Sequence, residues 1–265
     1  MLLPKVSLLD TAIGRYLCYS TGDSLPRILL ADGIHEPQVL AVSKFILNHS
    51  SRNNILDLGA NFGTYSIPIA LEFSGKHVFS FEIQRNVYYA LCGNIFLNSV
   101  PNITAINKGI SSISGEIEIP KIDYFKCSNI GAFSVSETAI ASNRFDFNND
   151  SITGSEKACT ITLDSFGENT GDIALIKLDI EGHELEALIG GRKFIADNGF
   201  PPIIFECWPF EWFKDNKREL FSFLIEIGYS NISNDIGHSN FLAQSPISTH
   251  KKFFIKDNLI GIYPE

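Results

Sequence analysis

The sequence predicts an α/β protein with a mostly parallel, doubly wound sheet. Short apolar runs that fit buried strands alternate with longer segments whose apolar residues recur at helical spacing. Two glycines, Gly59 and Gly63, follow the strand-like run at residues 55–58, and a helical pattern starts directly after them. Four strand-like runs carry an acidic residue at or next to their end. Ligands bind beyond the carboxyl ends of parallel strands, and we therefore expect the functional site there.

The composition is that of an ordinary globular protein. The chain has 265 residues, of which 45% are hydrophobic and 19% are charged, so it can form one sizeable α/β domain or two small ones. The formal net charge of −9 argues against broad electrostatic capture of nucleic acid, which needs a basic face. Five scattered cysteines without a Cys-x-x-Cys pair indicate buried thiols in a reducing compartment, rather than a disulfide framework or a zinc site.

The start of the chain and its hydropathy predict a soluble, cytoplasmic protein. Pro4 and Lys5 interrupt the short apolar start, so no signal peptide is predicted. No apolar stretch approaches the roughly twenty residues that a membrane-spanning helix needs, so no membrane span is predicted either.

The chain divides into an N-terminal extension or cap at residues 1–36 and a main domain at residues 37–265. Apolar and polar residues alternate in the extension, which predicts short strands, and Pro37 suits the first position of the following helix. Strands are predicted at residues 55–58, 78–81, 103–106, 173–178, 202–205, 229–232 and 252–257, the last two completing the sheet. Helices are predicted at residues 37–48, 63–73, 85–98, 183–196 and 212–227.

Residues 113–160 break the alternation of strands and helices. Residues 113–119 alternate in polarity like an edge hairpin. Residues 121–160 are rich in Ser, Asn, Asp, Phe and Gly and show little periodicity. Because a long irregular stretch inside a compact domain is usually functional or disordered, we interpret it as an insertion that covers the active site and determines its specificity.

The glycine turn after the first main-domain strand differs from a dinucleotide-binding loop. A dinucleotide fingerprint reads Gly-x-Gly-x-x-Gly, with the pyrophosphate over the start of the following helix. Here the spacing is Asp57-x-Gly59-x-x-x-Gly63, so the middle glycine is missing and a carboxylate precedes the first glycine by two residues. A carboxylate at this place would repel a pyrophosphate, but it would suit a cationic ligand that carries an amino group.

Two segments resemble one enzyme family. Residues 57–66, Asp-Leu-Gly-Ala-Asn-Phe-Gly-Thr-Tyr-Ser, resemble motif I of the class I S-adenosylmethionine-dependent methyltransferases, and most closely that of the FkbM family. Residues 176–184, Ile-Lys-Leu-Asp-Ile-Glu-Gly-His-Glu, are similar to the FkbM signature at the fourth strand, and residues 32–37 and 129–132 also resemble segments of the family. The resemblance covers most of residues 33–207. It implies a Rossmann-like fold with a seven-stranded sheet, and S-adenosyl-L-methionine as the cofactor.

The resemblance also implies which residues contact the cofactor. Glu82 lies about twenty positions after the glycines, where a doubly wound sheet places a carboxylate against two ribose hydroxyls. Asn107 and Gly109 close the third strand, where the family commonly lays backbone and side chains beside adenine. The predicted cofactor-binding residues are Asp57, Gly59, Ala60, Asn61, Gly63, Tyr65, Ser66, Glu82, Asn107, Gly109 and Asp179.

The predicted catalytic residues end or follow the fourth and fifth strands and are Asp179, Glu181, His183 and Glu206. Methyl transfer to a hydroxyl needs reactants that are held in line and a base that takes the hydroxyl proton. Asp179, at the strand tip, is the first choice for contact with the donor or the acceptor. Lys177 shares its strand face and suits an ion pair with it. Glu181, His183 and Glu206 are the alternative bases.

Two alternatives for these residues stay open. The unperturbed pKa of histidine is near neutral, which suits His183 as a base, although a histidine at a helix start often only belongs to a cap. Asp179, Glu181, His183 and Glu206 together also offer ligands for a hard cation that would lower the pKa of an acceptor hydroxyl. The sequence contains no compact ligand motif, so no metal is predicted.

The sequence therefore predicts an S-adenosylmethionine-dependent O-methyltransferase. The family implies a sugar hydroxyl of a glycan, glycolipid or natural product as acceptor. The predicted partners are a small-molecule or saccharide acceptor and no nucleic acid, with a homo-oligomer left open. One alternative is an NAD(P)-dependent oxidoreductase, which the missing middle glycine disfavours. The other is a non-catalytic S-adenosylmethionine-binding module, which the presence of Asp57, Glu82 and Asp179 disfavours.

Overall fold

The computed structural model describes residues 3–127, 129–131, 134, 151–167, 170–233, 235–256 and 259–263. Its strands, in chain order, are β1 (Val6–Thr11), β2 (Gly14–Tyr19), β3 (Asn54–Leu58), β4 (His77–Phe81), β5 (Ile103–Ile106), β6 (Gly109–Ile110), β7 (Gly115–Ile122), β8 (Ile152–Ile161), β9 (Ile173–Leu178), β10 (Ile203–Glu206), β11 (Asn231–Ile232), β12 (Asn240–Gln244), β13 (Phe253–Lys256) and β14 (Leu259–Ile262). Its helices are α1 (Ser24–Asp32), α2 (Pro37–Asn48), α3 (Ser66–Glu72), α4 (Arg85–Leu97), α5 (Leu163–Phe166), α6 (Glu184–Ile189), α7 (Arg192–Asp197) and α8 (Lys214–Glu226).

A seven-stranded sheet in the order β11-β12-β10-β9-β3-β4-β5 organises the fold. The five strands from β10 to β5 in this order are parallel, and β12 is antiparallel to both of its neighbours. The chain enters at β3, winds outward through β4 and β5, and then returns to β9 on the other side of β3. This topology confirms the predicted α/β fold. It also places a switch point, where ligands bind in such sheets, between β3 and β9.

The central strands are buried on both faces, which explains their nearly continuous apolar sequence. In β3, Ile55 belongs to one apolar cluster, while Leu56 and Leu58 belong to the other, as the two-residue period of a strand requires. Every residue of β9 is buried. The two charged residues in these strands, Asp57 and Lys177, lie opposite each other in the register between β3 and β9.

The prediction that residues 252–257 complete the sheet is wrong. The strand at that place is β12, and β13 instead pairs with β14 in a separate hairpin. Only three apolar residues lie between Asn240 and Gln244 in β12, so its sequence signal is weak. The side chain of Gln244 accepts a hydrogen bond from the backbone N–H of Phe253 and donates one to its carbonyl, both at 2.7 Å, which fixes the hairpin to the sheet.

The predicted helix at residues 183–196 is two helices, α6 and α7, separated by Gly190 and Gly191. A Cβ atom on Gly190 would lie 2.2 Å from the carbonyl oxygen of Ser111. The backbone at this glycine therefore packs closer to the neighbouring segment than any other residue would allow, and the helix is interrupted there. The helix predicted at residues 63–73 also begins later, at Ser66.

The segment at residues 113–160 differs from both of its predictions. Residues 113–119 do not form a hairpin of their own, because β7 pairs antiparallel with β8, and β6 completes a three-stranded sheet. Much of β8 is exposed and polar, which hid this strand from the sequence pattern. Strand β8 therefore occupies the end of the stretch predicted to be irregular, and most of residues 128–150, on which the predicted cover of the active site depends, lies outside the described residues.

The N-terminal segment packs against α4. The strands β1 and β2 form an antiparallel hairpin. The side-chain oxygens of Asn94 and Asn98 accept hydrogen bonds from the backbone N–H groups of Leu17 and Arg15, at 2.6 and 2.8 Å.

None of the helices within the described ranges is long and apolar enough to cross a membrane.

Candidate active site

A crevice opens at the carboxyl ends of β3, β4 and β9. Nine of the predicted site residues line it: Gly59, Ala60, Asn61, Tyr65, Glu82, Gly109, Asp179, Glu181 and His183. Five others do not: Asp57, Gly63, Ser66, Asn107 and Glu206. The structure thus gathers the ends of several strands around one cavity, as the parallel sheet requires.

The floor of the crevice is the turn between β3 and α3, where Gly59 adopts a φ of 91°. A Cβ atom at this position would lie 1.8 Å from the carbonyl oxygen of Asp179. The backbone of this turn therefore touches the end of β9, and only glycine fits both the conformation and the contact.

We expect the substitution Gly59→Ala to destabilise the protein by more than about 1 kcal/mol, because alanine is strained at positive φ and its Cβ clashes with backbone. Urea denaturation measures the loss as a lower midpoint. Gly75→Ala is the matched control, because a Cβ there meets no atom within 4 Å. Equal stability of the two variants would contradict the close approach at Gly59.

The side chain of Glu82 lies at the crevice, between the segments that follow β3 and β4. Its two oxygens accept hydrogen bonds from the backbone N–H groups of Asn61 and Gln84, at 3.0 and 2.8 Å. Burial raises the pKa of this carboxyl to about 7. Each oxygen of a carboxylate has more than one acceptor position, so Glu82 keeps the capacity to accept two further hydroxyl groups. This fits the predicted contact with a ribose.

Lys177 forms ion pairs with acidic residues at the crevice. It is 3% exposed, and its ammonium lies 2.7 Å from Asp179 Oδ2 and 3.8 Å from Glu36 Oε2. Its Nζ atom also lies 5.4 Å from the centre of the Tyr65 ring. Burial alone would lower the pKa of Lys177, but the carboxylates of Asp179, Glu36 and Asp57 raise it well above its usual value. Lys177 is therefore permanently charged.

Asp57 lies fully buried beside this network and not on the crevice wall. Its Oδ2 accepts a 2.5 Å hydrogen bond from Ser66, and burial raises its pKa to about 6. Among the described residues, its Oδ1 has no hydrogen-bond partner, and neither does the buried Oδ1 of Asn61. Of these two acceptors, the Oδ1 of Asn61 belongs to a residue that lines the crevice, and it fits a ligand that donates hydrogen bonds, such as one with an ammonium group.

Three carboxylates meet at the ends of β9 and β10. Asp179, Glu181 and Glu206 each place one oxygen within 4.8 Å of the others, and each is partly exposed. The turn that carries Glu181 is held by the buried Glu184, whose Oε1 accepts hydrogen bonds from the backbone N–H groups of Ile180 and Gly182. We refer to Asp179, Glu181 and Glu206 as the acidic trio.

His183 lies apart from the acidic trio. Its Nε2 forms a 3.0 Å hydrogen bond with the hydroxyl of Ser111. Burial lowers its pKa, so the ring is neutral at pH 7. Asn107 has a different place from the one predicted: its amide donates to the backbone carbonyls of Glu82 and Ile83 and fixes the loop after β4.

The crevice also contains residues that the sequence did not single out as site residues. His35 and Glu36 come from the segment before α2, and Glu36 adopts a φ of 49° at the N-terminal end of that helix. Thr64 and Lys108 lie next to predicted site residues in the sequence, and Gln84 lies two positions after Glu82. The resemblance of residues 32–37 to a family segment was the available signal for the first two. For Thr64, Gln84 and Lys108, the sequence indicated a place in the site only through their closeness to predicted site residues.

Comparison with known proteins adds the family. A family model described as the methyltransferase FkbM domain matches residues 57–230. A search of curated proteins gave no significant match. A solved structure of a candidate caffeoyl-CoA O-methyltransferase from Staphylococcus aureus is similar, at 11% identity and a TM-score of 0.50, over 85% of this chain and 92% of that one. At this identity the likeness concerns the fold.

Two further solved structures are similar with lower scores. One is an S-adenosylmethionine-dependent O-methyltransferase from Thermotoga maritima, with 12% identity and a TM-score of 0.44, covering 99% of this chain and 82% of that chain. The other is an rRNA methylase from Streptococcus thermophilus, with 10% identity and a TM-score of 0.44, covering 80% and 98%.

The family model spans well over half of the chain and includes both the glycine turn and the acidic residues of β9 and β10. It supports a methyltransferase that uses S-adenosyl-L-methionine, and it does not support the oxidoreductase alternative. The chain belongs to the FkbM family of S-adenosylmethionine-dependent methyltransferases.

Proposed function

We propose that this methyltransferase transfers a methyl group to oxygen, and that its acceptor is a neutral sugar hydroxyl of a glycan, glycolipid or natural product. The observation that carries the proposal is the acidic trio, which gathers three acceptor oxygens within 4.8 Å of one another beside the cofactor crevice. Carboxylates accept hydrogen bonds from several hydroxyls at once, as a sugar presents them. They would repel the phosphates of a nucleic acid.

The residues of the crevice fit the cofactor in three ways. Glu82 is proposed to accept the two ribose hydroxyls, since both of its oxygens are held in place by backbone N–H groups. The unpartnered Oδ1 of Asn61 is proposed to accept a hydrogen bond from the methionine ammonium, with the buried charge of Asp57 near it. Gly109 and the neighbouring Lys108 line the part of the crevice assigned to adenine.

The sulfonium of the bound cofactor supplies a methyl group that is already electrophilic, so the chain's residues mainly position the acceptor and take up a proton. Glu181 is proposed as the base, because it belongs to the acidic trio and lines the crevice. Asp179 is held by Lys177 at 2.7 Å, which suits it to orientation rather than to proton transfer. Glu206 would orient the acceptor hydroxyl.

A cytoplasmic location and the absence of a nucleic-acid partner belong to this proposal as expectations, and a homo-oligomer stays an open alternative. The net charge of −9 favours a neutral acceptor over a phosphate polymer. Size-exclusion chromatography with light scattering would determine the oligomeric state.

Calorimetric titration with S-adenosylmethionine and S-adenosylhomocysteine, followed by assays with a panel of methyl glycosides, tests the function. We expect binding of both cofactor forms, and methyl glycosides that gain one methyl group by mass spectrometry. Cofactor binding without transfer to any glycoside would favour a non-catalytic binding module. Transfer of the methyl group to an RNA substrate instead would contradict the proposal that the acceptor is a sugar hydroxyl.

The raised pKa of Glu82 predicts that cofactor binding depends on pH. Burial raises this pKa from 4.5 to about 7, so Glu82 loses much of its acceptor capacity as the pH falls below 7. We expect S-adenosylhomocysteine to bind about tenfold more weakly at pH 6 than at pH 8. In the free protein the folded state holds this proton more tightly than the unfolded one. The free energy of unfolding therefore falls as the pH rises from 4.5 to about 7.

Calorimetry across this pH range checks the prediction, with Glu82→Gln as the comparison. The variant should bind S-adenosylhomocysteine more weakly than the parent at pH 8, and its affinity should depend much less on pH. The pH dependence that remains is expected to come from Asp57, whose pKa is about 6. An unchanged pH profile in Glu82→Gln would show that another group controls binding.

A further inference from the structure

An aromatic cluster follows β10 at the same edge of the sheet as the acidic trio. Glu206 ends β10, and Trp208, Phe210, Trp212 and Phe213 all lie within the next seven residues. The rings of Phe210 and Trp212 stack, with centroids 5.6 Å apart and an interplanar angle of 13°. Both residues are partly exposed, whereas Trp208 and Phe213 are buried at 3% and 2% exposure. The cluster thus has a buried base and a stacked outer pair.

The base of the cluster touches the turn that carries the proposed catalytic base. A Cβ atom on Gly182 would lie 2.9 Å from Trp208, so the backbone next to Glu181 packs directly on this ring. The Trp208 ring in turn lies 5.6 Å from the ring of Trp212. The buried ring of Trp208 therefore packs both against the outer aromatic pair and against the turn that carries Glu181 of the acidic trio.

We propose that Trp212, together with Phe210, is the platform on which the ring of the sugar acceptor rests, and that this pair selects sugars over other alcohols. This inference rests on the proposed function. A pyranose has one face of C–H groups and a rim of hydroxyls. The face of an aromatic ring is apolar and electron-rich and attracts C–H groups, while carboxylates accept hydrogen bonds from hydroxyls.

The burial of the four rings separates this role from ordinary core packing. Trp208 and Phe213 belong to the apolar core on one face of the sheet, and their burial accounts for them. Phe210 and Trp212 pack against that core but stay partly exposed, which gives up some of the stabilisation that full burial would provide. Their partial exposure leaves ring surface available to a ligand at the edge of the sheet that carries the acidic trio.

The two tryptophans of the chain make a direct binding test possible. Protein labelled with 5-fluorotryptophan should give two fluorine resonances, one from the buried Trp208 and one from Trp212, assigned with Trp212→Phe. The full chain, saturated with S-adenosylhomocysteine, is titrated with methyl glucoside, galactoside, mannoside and rhamnoside up to about 50 mM, a range that reveals even millimolar binding. We expect at least one glycoside to shift the Trp212 resonance saturably, with a smaller change at Trp208.

Variants then test which rings are responsible. Trp212→Ala and Phe210→Ala should each weaken binding of that glycoside about tenfold, the loss of roughly one aromatic contact, without changing the affinity for S-adenosylhomocysteine. Trp212→Phe keeps a flat ring and should retain most of the affinity. Phe96→Ala, at a residue that is 87% exposed on α4, is the control and should bind as the parent does.

The failures of the two proposals are distinguishable. If no methyl glycoside gains a methyl group from S-adenosylmethionine, the proposed function is wrong. The platform alone is wrong if a glycoside is methylated but does not shift the Trp212 resonance, or if both alanine variants bind that glycoside as tightly as the parent.

Discussion

The substitution Glu181→Gln is expected to lower the rate constant of the methyl-transfer step by about 10²- to 10⁴-fold, the range associated with loss of a positioned base. The physical reason is that glutamine keeps the size and hydrogen-bonding reach of glutamate but cannot take the hydroxyl proton. Glu206→Gln should have a smaller effect, because an amide oxygen can still orient a hydroxyl. Single-turnover assays with S-adenosylmethionine and an active glycoside measure both.

The control is Glu219→Gln, an exposed position on α8, for which no change is expected. The affinity of Glu181→Gln for S-adenosylhomocysteine should match that of the parent, since Glu82 and the glycine turn are unaltered. If Glu206→Gln loses far more activity than Glu181→Gln, the base has been assigned to the wrong carboxylate. A rate equal to that of the parent in both variants would show that Glu181 and Glu206 take no part in the methyl-transfer step.

The substitution Lys177→Met is expected to lower the free energy of unfolding by about 3–5 kcal/mol, the cost of leaving a buried charge without its partner. Lys177 is 3% exposed, and the nearby carboxylates of Asp57, Asp179 and Glu36 would then face one another without a cation. Methionine fills a similar volume, so the loss is electrostatic rather than a cavity effect. Urea denaturation gives the change.

Lys214→Met is the matched control, because its ion pair with Glu211 is exposed and such pairs contribute about 0–1 kcal/mol. The destabilisation of Lys177→Met should diminish at low pH, where Asp57, with a pKa of about 6, becomes neutral. Similar stability of the two variants would mean that the buried carboxylates do not depend on Lys177.

The sequence predicted the parts of the fold that local chemistry encodes. Strands β3 and β9 were recognisable because burial on both faces demands a nearly unbroken apolar run. Glu82 was recognisable because the winding of the sheet fixes its distance from the glycine turn. Strand β12 was missed because its short apolar core is bounded by Asn240 and Gln244, whose side chains donate hydrogen bonds to Glu36 and Phe253 outside the strand.

The parts of the site that depend on tertiary packing could not be predicted in the same way. His35 and Glu36 reach the crevice only because the segment before α2 crosses the end of the sheet. The place of His183 follows from its contact with Ser111, which is distant in the sequence. The stacking of Phe210 on Trp212 likewise follows from the path of the loop after β10, which no periodicity describes.

A crystal structure with bound S-adenosylhomocysteine tests the central claim most directly, namely that the carboxyl ends of β3, β4 and β9 form the cofactor site. We predict density beside Gly59, with both ribose hydroxyls within hydrogen-bond distance of Glu82 and the homocysteine sulfur facing the acidic trio. Density at any other place on the chain, or a ribose that does not touch Glu82, would contradict this assignment.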